Sequence, residues 1–290
     1  MSDKFYRVIT HKSNEFEIFD GQVTLTVKAR GKLKRDGEIL VGDFVTVEEK
    51  NGETVIKTVK KRENSLIRPA VANIDAIVLV VATQPKIDYF LVDKMIINCK
   101  RMGIECIICL NKSDLSREIF DELTAQYKNE VSAIVAVSAL NNEQSELYPY
   151  IKDKLVCFAG QSGVGKSTLT NSISGTDREV GAVSDKIGRG KNTTTSASII
   201  ITTSGLWIID TPGFSMLDVF EEDYRTLAGY YDEYVSLADG CKFHPCTHTS
   251  EPDCKVKRAV ESGLLNKDRY ERYLKIFEEQ KIAYKNAVRR

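Results

Sequence analysis

No apolar run in the 290-residue sequence approaches the roughly 18–20 residues that a membrane helix needs. The opening segment MSDKFYRVITHKSNEF lacks the apolar core of a secretory signal. Both absences argue against a membrane helix and an export signal, and the expected location is cytoplasmic. Net charge is missing too: 41 Lys and Arg balance 41 Asp and Glu, so no overall field draws the chain toward nucleic acid. There is no internal repeat and no low-complexity tract. With 42% hydrophobic and 28% charged residues, the composition is that of a folded globular chain rather than a disordered one.

Charge is nevertheless patterned locally. Residues 28–35, KARGKLKR, contain five basic residues and no acid, and residues 255–290 carry a clear basic excess. Such patches are candidate phosphate contacts. Seven cysteines are an odd number. Cys99, Cys106, Cys109 and Cys157 lie within or beside apolar segments and read as small buried hydrophobes in a reduced compartment.

Three regions differ in pattern. Over residues 1–68, short alternating stretches such as QVTLTVKAR, GDFVTVEE and ETVIKTVKK are punctuated by glycine turns, which predicts a small OB-type β-barrel. RPAVANID then reads as a hinge. Over residues 69–220 the chain carries short continuous apolar runs, AIVLVVA, ECIICL, SAIVAVSA, KLVCFAG, SIIITT and GLWIID, with helical stretches between several of them. This predicts a mostly parallel sheet with helices on both faces. Over residues 221–290 the strand signal stops. EEDYRTLAGYYDEYVSLA and NKDRYERYLKIFEEQKIAYKNAVRR read as helices, the second with Tyr270, Leu274, Phe277 and Tyr284 on a packed face.

The phosphate-binding pattern G-x-x-x-x-G-K-[ST] occurs at Gly160-Gln161-Ser162-Gly163-Val164-Gly165-Lys166-Ser167, at the end of an apolar strand. Gly160, Ser162, Gly163, Val164 and Gly165 would turn backbone N–H groups toward phosphates. Lys166 would reach the β- and γ-phosphates, Ser167 would offer a hydroxyl to Mg²⁺, and the helix opening at Thr168 would add its positive end. Asp210-Thr211-Pro212-Gly213 follows the run GLWII; Asp210 suits a water-mediated hold on Mg²⁺, and the Gly213 N–H suits the γ-phosphate. GRGKNTTT lies between loop and strand, where a switch offers a threonine to the metal, here Thr193 or Thr194.

NKSD at 111–114 ends another apolar strand. Asn111 can bond the guanine edge, Lys112 can lay its stem along the base, and Asp114 can accept from N1–H and the exocyclic amine. Adenine lacks those donors. SAL at 138–140 ends the next strand, where Ser138 and Ala139 would supply a backbone N–H to the base oxygen. The order is therefore base reader, second base loop, phosphate loop, switch, Asp-Thr-Pro-Gly: the usual GTPase succession cut and rejoined. Cys241-x₄-Cys246-x-His248-x₅-Cys254 forms a Cys₃His set suited to one tetrahedral structural Zn²⁺. His244 is left out because four ligands close the site.

On RPAVANID, NKSDL, GQSGVGKSTL, GRGKNTTT, DTPGF and CTHTSEPDC, in that order, the chain resembles the circularly permuted GTPases called ribosome small-subunit-dependent GTPase A (RsgA). The resemblance covers essentially the whole chain. It implies a multidomain α/β architecture: an OB-type barrel over 1–68, a circularly permuted P-loop GTPase over 69–220 and a helical zinc-binding module over 221–290. It implies GTP and GDP with Mg²⁺, one Zn²⁺, and the small ribosomal subunit with its 16S rRNA as partner. DNA and membranes are not expected partners, and the chain is expected to be a monomer.

Two positions depart from GTPase patterns. Phe214 stands where Ras-like enzymes place a water-orienting glutamine. The resemblance implies a histidine in the first switch, where this chain has Asn192, whose amide can orient water but cannot act as a base near neutral pH. Two readings follow: a slow GTP hydrolase stimulated by the small subunit, or a GTP-dependent RNA-binding module with little hydrolysis. A permuted GTPase serving another RNA or a membrane is a third, and the lack of a membrane element argues against the membrane.

Overall fold

The computed structural model describes residues 4–12, 14–30, 38–67, 69–115, 118–175, 197–202, 204–210 and 223–288. The N-terminal segments alternate apolar and polar residues because strands present successive side chains to opposite faces. Strands β1 (Tyr6–Lys12), β2 (Glu15–Phe19), β3 (Thr24–Ala29), β4 (Phe44–Lys50) and β5 (Glu53–Val59) turn Val8, Phe16, Ile18, Val27, Val45 and Ile56 into one core. β2 pairs with β1 and β3, β3 runs parallel to β5, β5 pairs with β4, and β4 returns to β1 through Tyr6↔Val45 and Arg7↔Phe44. The five strands thus close on themselves as an OB-type barrel.

The segment read as a hinge is instead an ordered clasp. β6 (Ser65–Leu66) and β7 (Val71–Ala72) form a two-stranded hairpin. Asn73 donates from Nδ2 to the Gly42 carbonyl at 3.1 Å and accepts the Glu63 N–H at 2.9 Å. Arg7 donates to the Asn73 carbonyl at 2.5 Å. A buried side-chain amide that bridges two backbone segments replaces the freedom that Pro69 suggested.

The chain folds as two compact units. The first holds Met1–Val78, Ala139–Ala159 and Lys166–Phe214. Beyond the barrel it contains β11 (Leu155–Ala159), β12 (Ser198–Ile201), β13 (Trp207–Asp210), α3 (Tyr148–Ile151) and α4 (Lys166–Gly175). β11 and β13 are parallel, β12 is antiparallel to β13, and β12 meets β1 of the barrel at Thr10↔Ser198.

The second unit holds Leu79–Ser138, Gly160–Gly165 and Ser215–Arg290. β8 (Ala76–Ala82), buried at every position, leads into it. β9 (Glu105–Asn111) and β10 (Ala133–Ala136) pair in parallel. α1 (Tyr89–Met102) begins at Asp88, whose Oδ1 accepts the Phe90 and Leu91 N–H groups, and stops at Gly103 in the left-handed region. α2 (Glu118–Tyr127) precedes β10.

The C-terminal part is helical but not as two long helices. Residues 224–230 form a 3₁₀ turn, Tyr231 is extended, and α5 (Asp232–Val235) restarts the helix. The restart has a distant cause: the Glu130 carboxylate accepts the N–H groups of Asp232 at 3.3 Å and Glu233 at 3.2 Å. α6 (Lys255–Glu261) and α7 (Lys267–Val288) follow. α7 buries Arg269, Tyr273, Ile276, Phe277 and Gln280, whereas Tyr270, Leu274 and Tyr284 are half-buried. The packed line is therefore rotated from the aromatic stripe and contains a cation.

That cation is compensated. Arg269, 1% exposed, reaches Asp93 at 3.3 Å, Glu130 at 3.2 Å and Glu233 at 2.8 Å, and lies over the Tyr127 and Tyr231 rings. Arg272 pairs with the other oxygen of Asp93, and Lys100 reaches Glu130 at 2.5 Å and Asp232 at 2.9 Å. Burial pushes the Asp93 carboxyl up. Burial also opposes ionisation of Glu130, but Arg269 and Lys100 outweigh it and hold that carboxyl below its ordinary value. Arg269→Ala would leave Asp93 to Arg272 and Glu130 to Lys100, one cation short of the three carboxylates gathered there. The expected loss is about 3–5 kcal/mol, read as a fall in the urea midpoint of unfolding.

Candidate nucleotide and metal sites

β11 is wholly buried and delivers the chain to Gly160, where the backbone turns with φ 138°. A Cβ there would lie 2.1 Å from the Val80 carbonyl oxygen, so only glycine lets the loop leave the strand this close to β8. Gly165, with φ 93°, has the same constraint from another side: a Cβ would meet Asn111 Nδ2 at 2.4 Å. These two glycines of the phosphate pattern are required by neighbouring groups as well as by the turn.

Asn111 closes β9 and is 2% exposed. Its Nδ2 donates to the Val164 carbonyl at 2.9 Å. Lys112, in the left-handed region at φ 60°, donates from Nζ to the Gly163 carbonyl at 3.0 Å and to the Gln84 carbonyl at 2.7 Å. Asp114 sits in the 3₁₀ turn Ser113–Leu115, exposed, with Oδ1 accepting the hydroxyl of fully buried Ser138 at 2.8 Å. Direct hydrogen bonds therefore bring Asn111 and Lys112 to loop residues Gly163 and Val164, and join Asp114 to Ser138. Gly160, Ser162 and Gly165 belong to the same loop.

Ala139, Lys166, Ser167, Thr168 and Asp210 belong to the first unit. Ala139 is buried; Ser167 and Thr168 are exposed on the first turn of α4. Lys166 opens α4, and partial burial lowers its ammonium pKa. β11 and β13 run parallel in the register Cys157↔Ile209. Asp210 therefore ends β13 at the same carboxyl edge of the sheet as the end of β11, the edge where open α/β sheets bind ligands. Asn192, Thr193, Thr194, Gly213 and Phe214 lie outside the described residues.

One contact set carried no motif. Residues 84–88, between β8 and α1, back the loop. Besides the Gln84 carbonyl, the Asp88 N–H donates to Gln161 Oε1 at 3.1 Å, and Pro85 Cδ lies 3.6 Å from the position of a Cβ on Gly163. The available signal was the Asp88 helix cap; the remaining contacts use main-chain groups that residue identity does not announce.

Cys241, Cys246, His248 and Cys254 place their ligand atoms within 4.8 Å of one another. Cys241 Sγ lies 3.9 Å from Cys254 Sγ and 3.6 Å from His248 Nδ1, which is 3.3 Å from Cys254 Sγ. Zinc–sulfur bonds of about 2.3 Å in a tetrahedron give sulfur–sulfur edges of about 3.8 Å, so the donor set fits one tetrahedral dication. Burial pushes the Cys246 thiol up to about 12 and raises Cys254. Burial also lowers His248, which favours the neutral imidazole a metal requires. The Lys255 N–H donates to Cys241 Sγ at 3.3 Å. Tyr270 donates to the His248 carbonyl at 2.7 Å and Tyr273 to that of Thr247, fixing the ligand loop to α7. His244 is exposed and outside the set.

A family model described as RsgA GTPase matches residues 59–220. The chain is 39% identical over 269 residues to the small ribosomal subunit biogenesis GTPase RsgA of Caldanaerobacter subterraneus subsp. tengcongensis, covering 89% of this chain and 91% of that one. It is 37% identical to the protein of the same description from Carboxydothermus hydrogenoformans, covering 94% and 96%. The structure is similar to the crystal structure of YjeQ from Thermotoga maritima, with TM-score 0.82 and 33% identity over 96% of this chain and 98% of that one. It is also similar to YloQ, a circularly permuted GTPase, with TM-score 0.78 and 31% identity over 96% and 95%.

Cobalt(II) titration of the metal-free protein is expected to produce the intense visible bands of tetrahedral thiolate coordination at one equivalent. Cys246→Ser should weaken them, and chelation of the native protein should lower its Tm. Octahedral-type weak absorption would contradict the Cys₃His assignment.

Proposed function

The chain belongs to the RsgA family of circularly permuted GTPases, and from that membership we propose that it hydrolyses GTP in the service of small ribosomal subunit maturation. The observation that carries the site assignment is the bond from Asn111 to the Val164 carbonyl. It joins the candidate base reader to the candidate phosphate loop although the sequence presents them in reversed order. Relatives named as GTPases favour hydrolysis over a purely nucleotide-dependent binding module.

In this reading the guanine edge is read by Asn111 and Asp114, the Lys112 stem covers the base, and the 138–139 backbone donates to the base oxygen. Ser138 orients the Asp114 carboxylate by donating its hydroxyl. Adenine would leave that carboxylate facing an acceptor and lacking donors, which costs binding without any steric exclusion. The N–H groups of Gly160, Ser162, Gly163, Val164 and Gly165 and the ammonium of Lys166 take the phosphates. Ser167, Asp210 and Thr193 or Thr194 are the candidate holders of Mg²⁺, which would neutralise phosphate charge when bound. Gly213 offers its N–H to the γ-phosphate.

Water activation falls to groups weaker than those of Ras-like enzymes, because Phe214 cannot orient water and Asn192 can only orient it. Turnover alone is therefore slow, and contact with the small subunit accelerates it. Cys241, Cys246, His248 and Cys254 hold one structural Zn²⁺. The partner is the small subunit through its 16S rRNA, the protein acts as a monomer in the cytoplasm, and the divisions 1–68, 69–220 and 221–290 serve as barrel, GTPase and zinc module.

Two measurements test this reading. GTP hydrolysis should rise with purified small subunits, not with large ones, and vanish in Lys166→Ala. Asp114→Asn should weaken GTP binding by about a hundredfold while improving xanthosine triphosphate, whose C2 carbonyl accepts from an amide. Equal preference for GTP and ATP in the unaltered protein would refute the guanine assignment.

A further inference from the structure

α1 touches two places that the proposed reaction keeps separate. At its start, Asp88 does two jobs. Its carboxylate caps the helix through Phe90 and Leu91, and its N–H holds the Gln161 side chain of the phosphate loop. One turn further on, Asp93, 1% exposed, stands between Arg269 and Arg272 of α7. Next, Ile97 packs in the same core as Cys241, Cys254, Tyr273 and Phe277, with Phe90 against its edge. α7 in turn holds the metal loop through the hydroxyls of Tyr270 and Tyr273. From Gln161 to His248 there is no gap: each step is a hydrogen bond, a compensated charge or a packed helix.

Gln161 occupies a position that the phosphate pattern leaves free, and its side chain points to α1. We propose that Gln161 and Asp88 are positioning residues, and that through them α1 transmits occupancy of the phosphate loop to α7 and the metal loop. The inference rests on the guanine-nucleotide reading of the loop. Bound phosphates fix the loop backbone, and Gln161 then fixes the capped end of α1. Restricting one end of a stiff helix restricts the charges packed along it, because the Asp93 carboxylate cannot move without breaking bonds to two guanidiniums. A coupling of this kind is reciprocal: whatever GDP adds to order in α7, an ordered α7 returns as GDP affinity.

The test is amide hydrogen exchange over residues 269–277 of the full-length metal-loaded protein, with and without saturating GDP. The unaltered protein should show exchange slowed about tenfold by GDP, within the usual range of such couplings. Gln161→Met keeps side-chain length and removes the acceptor. Arg272→Gln frees one side of Asp93 while Arg269 stays paired. Each variant should cut the GDP effect to less than about twofold while still binding GDP. GDP bound with no response in the unaltered protein overturns the inference, as does an undiminished response in either variant; the latter assigns the coupling to the chain after Asp210. Failure to bind GDP at all overturns the nucleotide reading itself and this inference with it.

Discussion

The Asn111 amide donating to the Val164 carbonyl at 2.9 Å is the contact on which the permuted arrangement depends. A GTPase needs its base reader and phosphate loop close together in space, not in a given succession. Here the candidate reader ends β9 and the candidate loop follows β11, and the bond between them is made by an amide nine-tenths buried or more, where a lost partner costs far more than at the surface. Gly165 belongs to the same constraint. Its lack of a Cβ is what allows Asn111 to approach the loop backbone, so the glycine of the phosphate pattern and the asparagine of the base pattern require one another. Two short motifs that are weak alone become a single packed object.

The C-terminal module depends on a different kind of contact. Its core is aromatic, with Tyr231, Tyr234 and Tyr273 stacked or edge-on at 4.8–5.1 Å, and it includes two of the metal-site cysteines. Apolar packing of this kind is tolerant of rotation and sliding. Arg269 is not tolerant: three carboxylates from α1, the turn before β10 and α5 converge on it. Such a buried ionic cluster adds little net stability compared with apolar packing, but any other register of α7 would strand its charges. The tyrosines supply burial, and the charges select which arrangement of helices is occupied.

How far the sequence reveals this depends on where each residue finds its partners. β8 was readable to its last residue because a strand buried on both faces leaves an uninterrupted apolar run. The candidate phosphate loop, the candidate base reader and the Cys₃His set stand out in the sequence because local spacing carries the chemistry proposed for them. Arg269 was not: a charged residue on an amphipathic helix reads as solvated, and the groups that compensate it lie up to 176 residues away. The break at Tyr231 was hidden for the same reason, since the carboxylate that caps α5 belongs to Glu130. Residues 84–88 act largely through a carbonyl and an N–H, which every sequence possesses. RPAVANID read as a hinge because Pro69 is visible and the bridging amide of Asn73 is not.

Permutation gives these hidden contacts their weight. In the rearranged order the chain leaves Asp210 and, after residues 211–222, builds the C-terminal module directly. That connection alone would make the module an appendage of the segment following β13. α1 changes this, since it belongs to the stretch that opens the GTPase region and yet contributes Phe90, Asp93 and Ile97 to the module's interior. The module is thereby held to the candidate phosphate loop by packing as well as by covalent succession. Packed interiors have few alternative arrangements and transmit displacement rather than absorb it. A module fastened by two independent routes has less freedom than one fastened by its chain alone. It can therefore respond to the loop without any large motion, through loss of the few arrangements it had left.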